Sequence, residues 1–159
     1  MTPEKWSAIA GCASAFAAII SLVITTKGLK SQNESLKESK RRNIQDLLAS
    51  LAQRANASVK ERADANWSFA QFANVMLSID TAKTAVERID ISAGISKEEA
   101  SDYFKNLLDH QIISSFRAGQ PPDGAFKEYS SIDEALVIVK LWNPNAHFLG
   151  FTDVNFIIS

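Results

Sequence analysis

The chain has one cysteine, Cys12, and only two histidines, and its six glycines and four prolines are scattered. A single cysteine forms neither an intramolecular disulfide nor a cysteine-based metal site. Neither His110 nor His147 has a second metal ligand at helical spacing, and no glycine-rich phosphate loop is present. We therefore expect no cofactor and no enzymatic activity.

Neither sign of charge is in clear excess, since the net charge is −1, but basic and acidic residues are segregated along the chain. Residues 27–42 contain six Lys or Arg against two Glu, whereas acidic residues outnumber basic ones from residue 43 onward. A nucleic-acid-binding domain would itself be basic. The distribution instead predicts a basic segment before a mildly acidic domain that does not bind nucleic acid.

Residues 6–26 contain no charged side chain. A helix that rises about 1.5 Å per residue needs about 20 residues to cross a hydrocarbon layer of about 30 Å. Trp6 suits the interfacial region at one end of this stretch, and Lys27 and Lys30 follow the other end. The sequence therefore predicts a single transmembrane helix over residues 6–26.

Three alternatives compete with this anchor. A cleaved signal peptide would place its small-residue site after the apolar core, yet Ala13-Ser14-Ala15 falls in the middle of it. An amphipathic surface helix needs a charged face, which is absent. A buried helix of a soluble protein stays open, because six Ala, three Ser and two Thr make the stretch only moderately hydrophobic.

The basic residues after the stretch predict its orientation, because short flanks rich in Lys and Arg stay in the cytoplasm. Residues 1–5 are then extracytoplasmic and residues 27–159 cytoplasmic. The same cations are attracted to anionic lipid headgroups. The predicted lipid contacts are Lys27, Lys30, Lys37, Lys40, Arg41 and Arg42.

One face of the predicted span consists of small residues at spacings of three and four. Small side chains allow close backbone approach between helices in lipid, where no hydrophobic force drives association. This pattern favours self-association or pairing with another membrane protein, although Ala-rich spans also produce such stripes by chance. The predicted helix–helix contact, named the small-residue face, is Ser7, Gly11, Ser14, Ala18, Ser21 and Thr25.

Residues 29–93 contain neither glycine nor proline, which predicts long helices. We divide the cytoplasmic part into a basic helical stalk over 27–63 and a helical domain over 64–159. An apolar stripe in the stalk is expected to pack against another stalk or the domain. Its residues are Leu29, Leu36, Ile44, Leu47, Leu48, Leu51 and Ala55.

Within the domain, residues 64–66 offer N-cap chemistry before an apolar helical period from Trp67 to Ile89. Ser96 and Glu99 have capping-box spacing, and a helix should follow and end before Gly119. Residues 120–124 indicate a turn. Ser131 and Glu134 repeat the capping-box spacing.

The C-terminal quarter is harder to assign. The run 136–139 suits helix or strand, and Pro144 should stop whichever forms. The tail over 147–159 is rich in Phe and Ile, and Val154, Phe156 and Ile158 fall at every second position, which predicts a short strand or an apolar strap.

The predicted fold is thus mainly α, with a transmembrane helix that continues into a stalk and a small domain. This plan resembles that of short single-pass proteins of bacterial membranes, which implies the inner membrane. The leading functional hypothesis is an anchored interaction or scaffolding module that binds lipid and either itself or another membrane or cytoplasmic protein. The alternatives are a pore-forming or membrane-perturbing oligomer and an enzyme whose site assembles from dispersed residues.

Overall fold

The computed structural model describes residues 3–59, 67–122, 124–125 and 132–153, with side chains from residue 29 onward except those of 91, 132, 134 and 135. Helices dominate this part of the chain and it contains no strand, so the mainly α prediction is confirmed. The six α-helices are α1 (Pro3–Val59), α2 (Phe69–Glu87), α3 (Lys97–Leu107), α4 (His110–Ala118), α5 (Ile132–Lys140) and α6 (Trp142–Phe148), and a 3-10 helix covers Ile91–Ala93.

The chain divides into two compact units, residues 1–39 and residues 40–159. The first unit consists of the N-terminal part of α1, which contains the predicted span 6–26 and the start of the predicted stalk. Leu29 and Leu36 are 61% and 56% exposed. These two members of the predicted apolar stripe are therefore largely exposed to solvent.

The second unit begins within α1, at Lys40, and so includes part of the segment 27–63 that was predicted to be a stalk. Here four members of the apolar stripe pack, since Leu48, Leu51 and Ala55 are buried and Ile44 is partly buried against the core, whereas Leu47 is exposed. Spacings of three and four place these residues on one face of the helix. The last turns of α1 thus form one wall of the folded unit.

Helix α2 follows the predicted apolar period closely. Phe72, Met76, Ile79, Ala82 and Val86 are buried along one face. Its N-cap is Ser68, whose side chain accepts from the Gln71 backbone N–H while the Gln71 side chain accepts from the Ser68 backbone N–H. The predicted cap over 64–66 lies outside the described residues, and the capping box at Ser68 replaces it.

The capping box predicted at Ser96 is confirmed at the start of α3. The Ser96 backbone N–H donates to Glu99 Oε2 at 2.9 Å, and the Glu99 backbone N–H donates to Ser96 Oγ at 3.1 Å. These hydrogen bonds lower the pKa of Glu99 below its ordinary value. The ionised carboxylate therefore stabilises the fold at neutral pH, and this contribution is lost as the pH falls through the lowered pKa.

The single helix expected from Ser96 to Gly119 is broken in two at Leu108 and Asp109. Asp109 caps α4 by accepting from the Gln111 backbone N–H at 2.9 Å, and Gly119 ends α4 with a φ of 70°. Asn56 of α1 stabilises the break, because its Nδ2 donates to the Leu107 carbonyl at 2.8 Å and its Oδ1 accepts from the Asp109 N–H at 2.7 Å. One amide thus satisfies a carbonyl and an N–H that a continuous helix would pair internally.

The ambiguous run 136–139 is helical and belongs to α5. Pro144 does not stop this helix, which ends earlier, at Lys140; Pro144 instead lies in the first turn of α6. A proline costs little there because first-turn N–H groups have no partner within the helix. Residues 147–153 contain no strand, and the alternating residues 154–159 lie outside the described part, as does Ser131 of the second predicted capping box.

An aromatic cluster fixes α6 against α2 and α4. The Trp142 ring stacks on Phe116 with 4.4 Å between centroids and lies 5.9 Å from Phe72. One turn further on, Asn145 is fully buried and donates from Nδ2 to the Met76 carbonyl at 2.9 Å. Its Oδ1 has no hydrogen-bond partner among the described residues. Residues 142 and 145 therefore anchor the C-terminal helices to the core.

Candidate interaction surface

His110 and Ser114 are the only described pair in which a hydroxyl lies near a histidine ring, at the edge of a pocket of about 380 Å³. Ser114 Oγ lies 3.3 Å from Nδ1 and 3.4 Å from Nε2 of His110. Nearly equal distances to both nitrogens mean that the hydroxyl does not lie along the lone-pair direction of either nitrogen. A general base requires a directed hydrogen bond to the nucleophile, so this pair lacks the geometry of a catalytic dyad.

The same pocket is lined by Trp67 and Gln111, and both carry a buried polar atom that no described residue satisfies, Trp67 Nε1 and Gln111 Oε1. Because these atoms are buried, a molecule in the pocket does not reach them in this conformation. The second histidine, His147, donates from Nε2 to Asp153 Oδ1 at 2.7 Å, and both side chains are exposed. In the described part of the chain no three His, Cys, Asp or Glu side chains form a metal-binding group.

An apolar groove of about 530 Å³ runs between α2 and α5. On α2 it is lined by Phe69, Ala73 and Leu77, which recur every four residues and so form one helix face. Asp133, Val137 and Ile138 line it from α5. The large exposed side chains Leu77 and Val137 are 43% and 57% exposed, so the groove opens into an apolar surface rather than closing over a core.

The outer face of α5 continues this apolar surface. Asp133, Leu136, Val137 and Lys140 are all exposed, and their spacings of three, one and three place them within one helix face. Neither Asp133 nor Lys140 forms an ion pair with any described residue. We name these four residues the α5 face: two aliphatic side chains stand at its centre, with an acid toward the N-terminal end and a base at the C-terminal end.

The cations predicted to contact lipid differ in their surroundings. Lys30, Lys37, Arg41 and Arg42 are exposed. Lys40 is half-buried and donates from Nζ to Ser92 Oγ at 2.7 Å. Lys40 therefore has a structural partner in the folded unit, and the side chain of Lys27 lies outside the described part.

The side chains of the small-residue face, Ser7, Gly11, Ser14, Ala18, Ser21 and Thr25, also lie outside the described part, although their backbone belongs to α1. A search limited to the described residues finds no helix that is both long and apolar enough to span a bilayer. The span 6–26 and its helix–helix contact thus stay predictions from the sequence.

The α5 face was missed in the sequence analysis, although a signal for it exists. Once residues 132–140 are known to be helical, the order acid, aliphatic pair, base at spacings of three, one and three is visible in the sequence. Comparison of the whole chain with protein-family models, with curated proteins and with solved structures found no match.

Proposed function

We propose that this chain is a membrane-anchored interaction module whose copies associate at the cytoplasmic face of a bacterial inner membrane. The observation that supports the proposal most directly is the apolar surface formed by the α2–α5 groove and the α5 face. Water-exposed aliphatic groups around an open groove gain free energy when a protein partner covers them. The partner that we propose is a second copy of the chain.

The anchor explains how such a surface brings two copies together when few copies of the protein are present. Residues 6–26 hold the copies in the two dimensions of the membrane, which raises the effective concentration of one folded unit around another. The cations at 30, 37, 41 and 42 hold the following segment close to anionic headgroups, each contributing about 1 kcal/mol where it lies near the surface. Anchoring and self-association thus support each other.

Within the membrane, the copies pair through the small-residue face. Six small residues at spacings of three and four allow two helices to approach closely, and their hydroxyls form hydrogen bonds across the contact. The opposite face carries larger side chains, among them Ile9, Phe16, Ile20 and Val23, which suit contact with lipid. The helix is therefore expected to present one particular side to its partner.

Disulfide crosslinking in native membranes tests this pairing. In a full-length chain with Cys12→Ala, Ala18→Cys places a thiol on the small-residue face and Phe16→Cys places one on the opposite face. We expect mild oxidation to produce covalent dimers of the Ala18→Cys chain and few or none of the Phe16→Cys chain. Adding Gly11→Leu and Ser14→Leu should lower the Ala18→Cys dimer several-fold, because larger side chains keep the backbones apart.

The matched control adds Ile9→Leu and Val23→Leu, which alter the opposite face by similar means and should leave the dimer unchanged. Equal crosslinking at positions 16 and 18, or no dimer at either, would contradict pairing through this face. Loss of every variant from the membrane fraction would contradict the anchor itself.

A further inference from the structure

We infer that the folded unit carries a second self-association site, in which the α5 faces of two copies pack antiparallel about a two-fold axis between Leu136 and Val137. This inference rests on the proposed self-association, and it specifies the partner, the register and the residues of the cytoplasmic contact. It follows from the position of four exposed side chains on one short helix.

The register follows from the sequence numbers. In an antiparallel pair centred between 136 and 137, each residue faces a residue of the other copy, and the two residue numbers add up to 273. Leu136 then faces Val137 of the other copy, and Asp133 faces Lys140 of the other copy. Both apolar residues meet apolar residues and both charges meet opposite charges, which is the self-complementarity that a two-fold interface requires.

The parallel alternative lacks this complementarity. Side-by-side parallel packing about a two-fold axis would place Asp133 against Asp133 and Lys140 against Lys140, and like charges at an interface oppose association. The antiparallel arrangement also places the acid near the N-terminus of one α5 and beside the C-terminal base of the other. The charge pattern therefore selects one orientation.

The exposure of these residues shows that the described part of the chain leaves them open to solvent. Val137 is 57% exposed and Leu136 is 38% exposed, while their neighbour Ile138 is 7% exposed and faces the core. The groove wall at Leu77, which is 43% exposed, extends the apolar surface beside α5. A second α5 seated on this face covers the aliphatic centre and brings its own groove wall alongside.

The contact is small for a stable dimer in solution. Interfaces of independent dimers bury at least about 1,200 Å² in total, which is more area than about two helical turns on each side supply. We therefore expect association through the α5 face to depend on the membrane, where anchoring raises the effective concentration. The test accordingly uses the full-length chain in membranes.

Cysteine crosslinking measures the register. In an antiparallel pair, position 137 is offset along the helix axis by about 1.5 Å from position 137 of the other copy, and position 133 by about 10 Å from position 133 of the other copy, given a rise of about 1.5 Å per residue. In the Cys12→Ala chain, Val137→Cys should crosslink with itself. Asp133→Cys and Lys140→Cys should each fail alone, but a co-expressed mixture of the two should form the heterodimer.

Charge exchange measures the pairing. In the Val137→Cys chain, we expect Asp133→Lys or Lys140→Asp alone to lower the crosslinked fraction several-fold, because each places like charges opposite one another. The double exchange Asp133→Lys with Lys140→Asp should restore it. Each exchange also opposes the helix dipole, so weakening of α5 alone would make the double variant worse than either single variant. Recovery of the crosslinked fraction in the double variant would therefore show that the single variants lost charge pairing at the interface and not the stability of α5.

Self-crosslinking of Asp133→Cys alone would indicate parallel packing and overturn the inference, as would a double variant no better than the single ones. A chain that crosslinks at position 18 but not at 137 retains self-association through the membrane helix and loses this inference. A chain that crosslinks at 137 but not at 18 retains the cytoplasmic contact and loses the pairing in the membrane. Far-UV circular dichroism of each purified variant checks that its helices are intact.

Discussion

Asn145→Asp is expected to lower the free energy of unfolding by about 4 kcal/mol at pH 7 and by much less at pH 4. Asn145 is fully buried, and its Nδ2 donates to the Met76 carbonyl. A carboxylate in its place puts a carboxylate oxygen, which accepts hydrogen bonds, next to the Met76 carbonyl oxygen, which also accepts them. It also buries a negative charge. Burial raises the pKa of such a group by about 3 units or more, and each unit corresponds to about 1.4 kcal/mol.

The sign of the pH dependence follows from that raised pKa. Below the ordinary pKa of an aspartate the group is protonated in both states, and the neutral acid donates a hydrogen bond to the Met76 carbonyl as the amide did. As the pH rises above the unfolded-state pKa, the unfolded chain releases the proton first and the folded state is progressively destabilised. The loss should therefore grow between about pH 4 and pH 7.

Urea denaturation of the full-length chain in mild detergent, followed by near-UV circular dichroism at both pH values, measures this difference against the wild-type chain. Asn145→Leu is the matched control, because it removes the donor and the unpaired acceptor without adding a charge. Its loss should be about 1–2 kcal/mol and the same at both pH values. An equal loss for Asn145→Asp at pH 4 and pH 7 would contradict the burial of this side chain.

Trp142→Ala is expected to lower the free energy of unfolding by about 3–5 kcal/mol, as large-to-small changes at buried aromatic residues do. The indole is 1% exposed, and it stacks on Phe116 and contacts Phe72. Removal leaves a cavity where α6 meets α2 and α4, and it also removes the aromatic pairing. The same denaturation experiment measures the loss.

The matched control for this prediction is Leu47→Ala. Leu47 is an aliphatic residue of α1 that is 47% exposed, so its truncation creates no cavity. We expect a change of no more than about 0.5 kcal/mol for this variant. Comparable losses for Trp142→Ala and Leu47→Ala would show that residue 142 does not lie at the centre of the core.

Local pattern was sufficient for the helices whose signals lie within a few residues. The apolar period after Trp67 identified the buried face of α2, and the Ser96 and Glu99 spacing identified the start of α3. Both features arise from contacts within one helix or between neighbouring turns. The residues that make such contacts are close together in the sequence, so sequence alone predicts them.

The break between α3 and α4 has a different origin. The apolar period continues across Leu108 and Asp109, and local sequence therefore favoured one helix. The break is stabilised by Asn56, whose side chain bonds to the backbone on both sides of it. Asn56 lies more than fifty residues earlier in the chain, and no pattern around the break indicates that it will be there.

The interaction surface was missed for a related reason. The run 136–139 suits a strand as well as a helix, and in a strand the four members of the α5 face would not share one side. Their alignment becomes visible only when α5 is known to be helical and Ile138 is known to face the core. Exposure depends on the packing of α2 and α6, which local pattern does not specify.

Fractionation of cells that express the full-length chain with a reporter fused after Ser159 tests the anchor, on which the proposed function depends. We expect the fusion to sediment with membranes, to resist alkaline carbonate, to dissolve only in detergent, and to show the activity of a reporter that works in the cytoplasm. A fusion that stays in the high-speed supernatant, or whose reporter is active only in the periplasm, would contradict it.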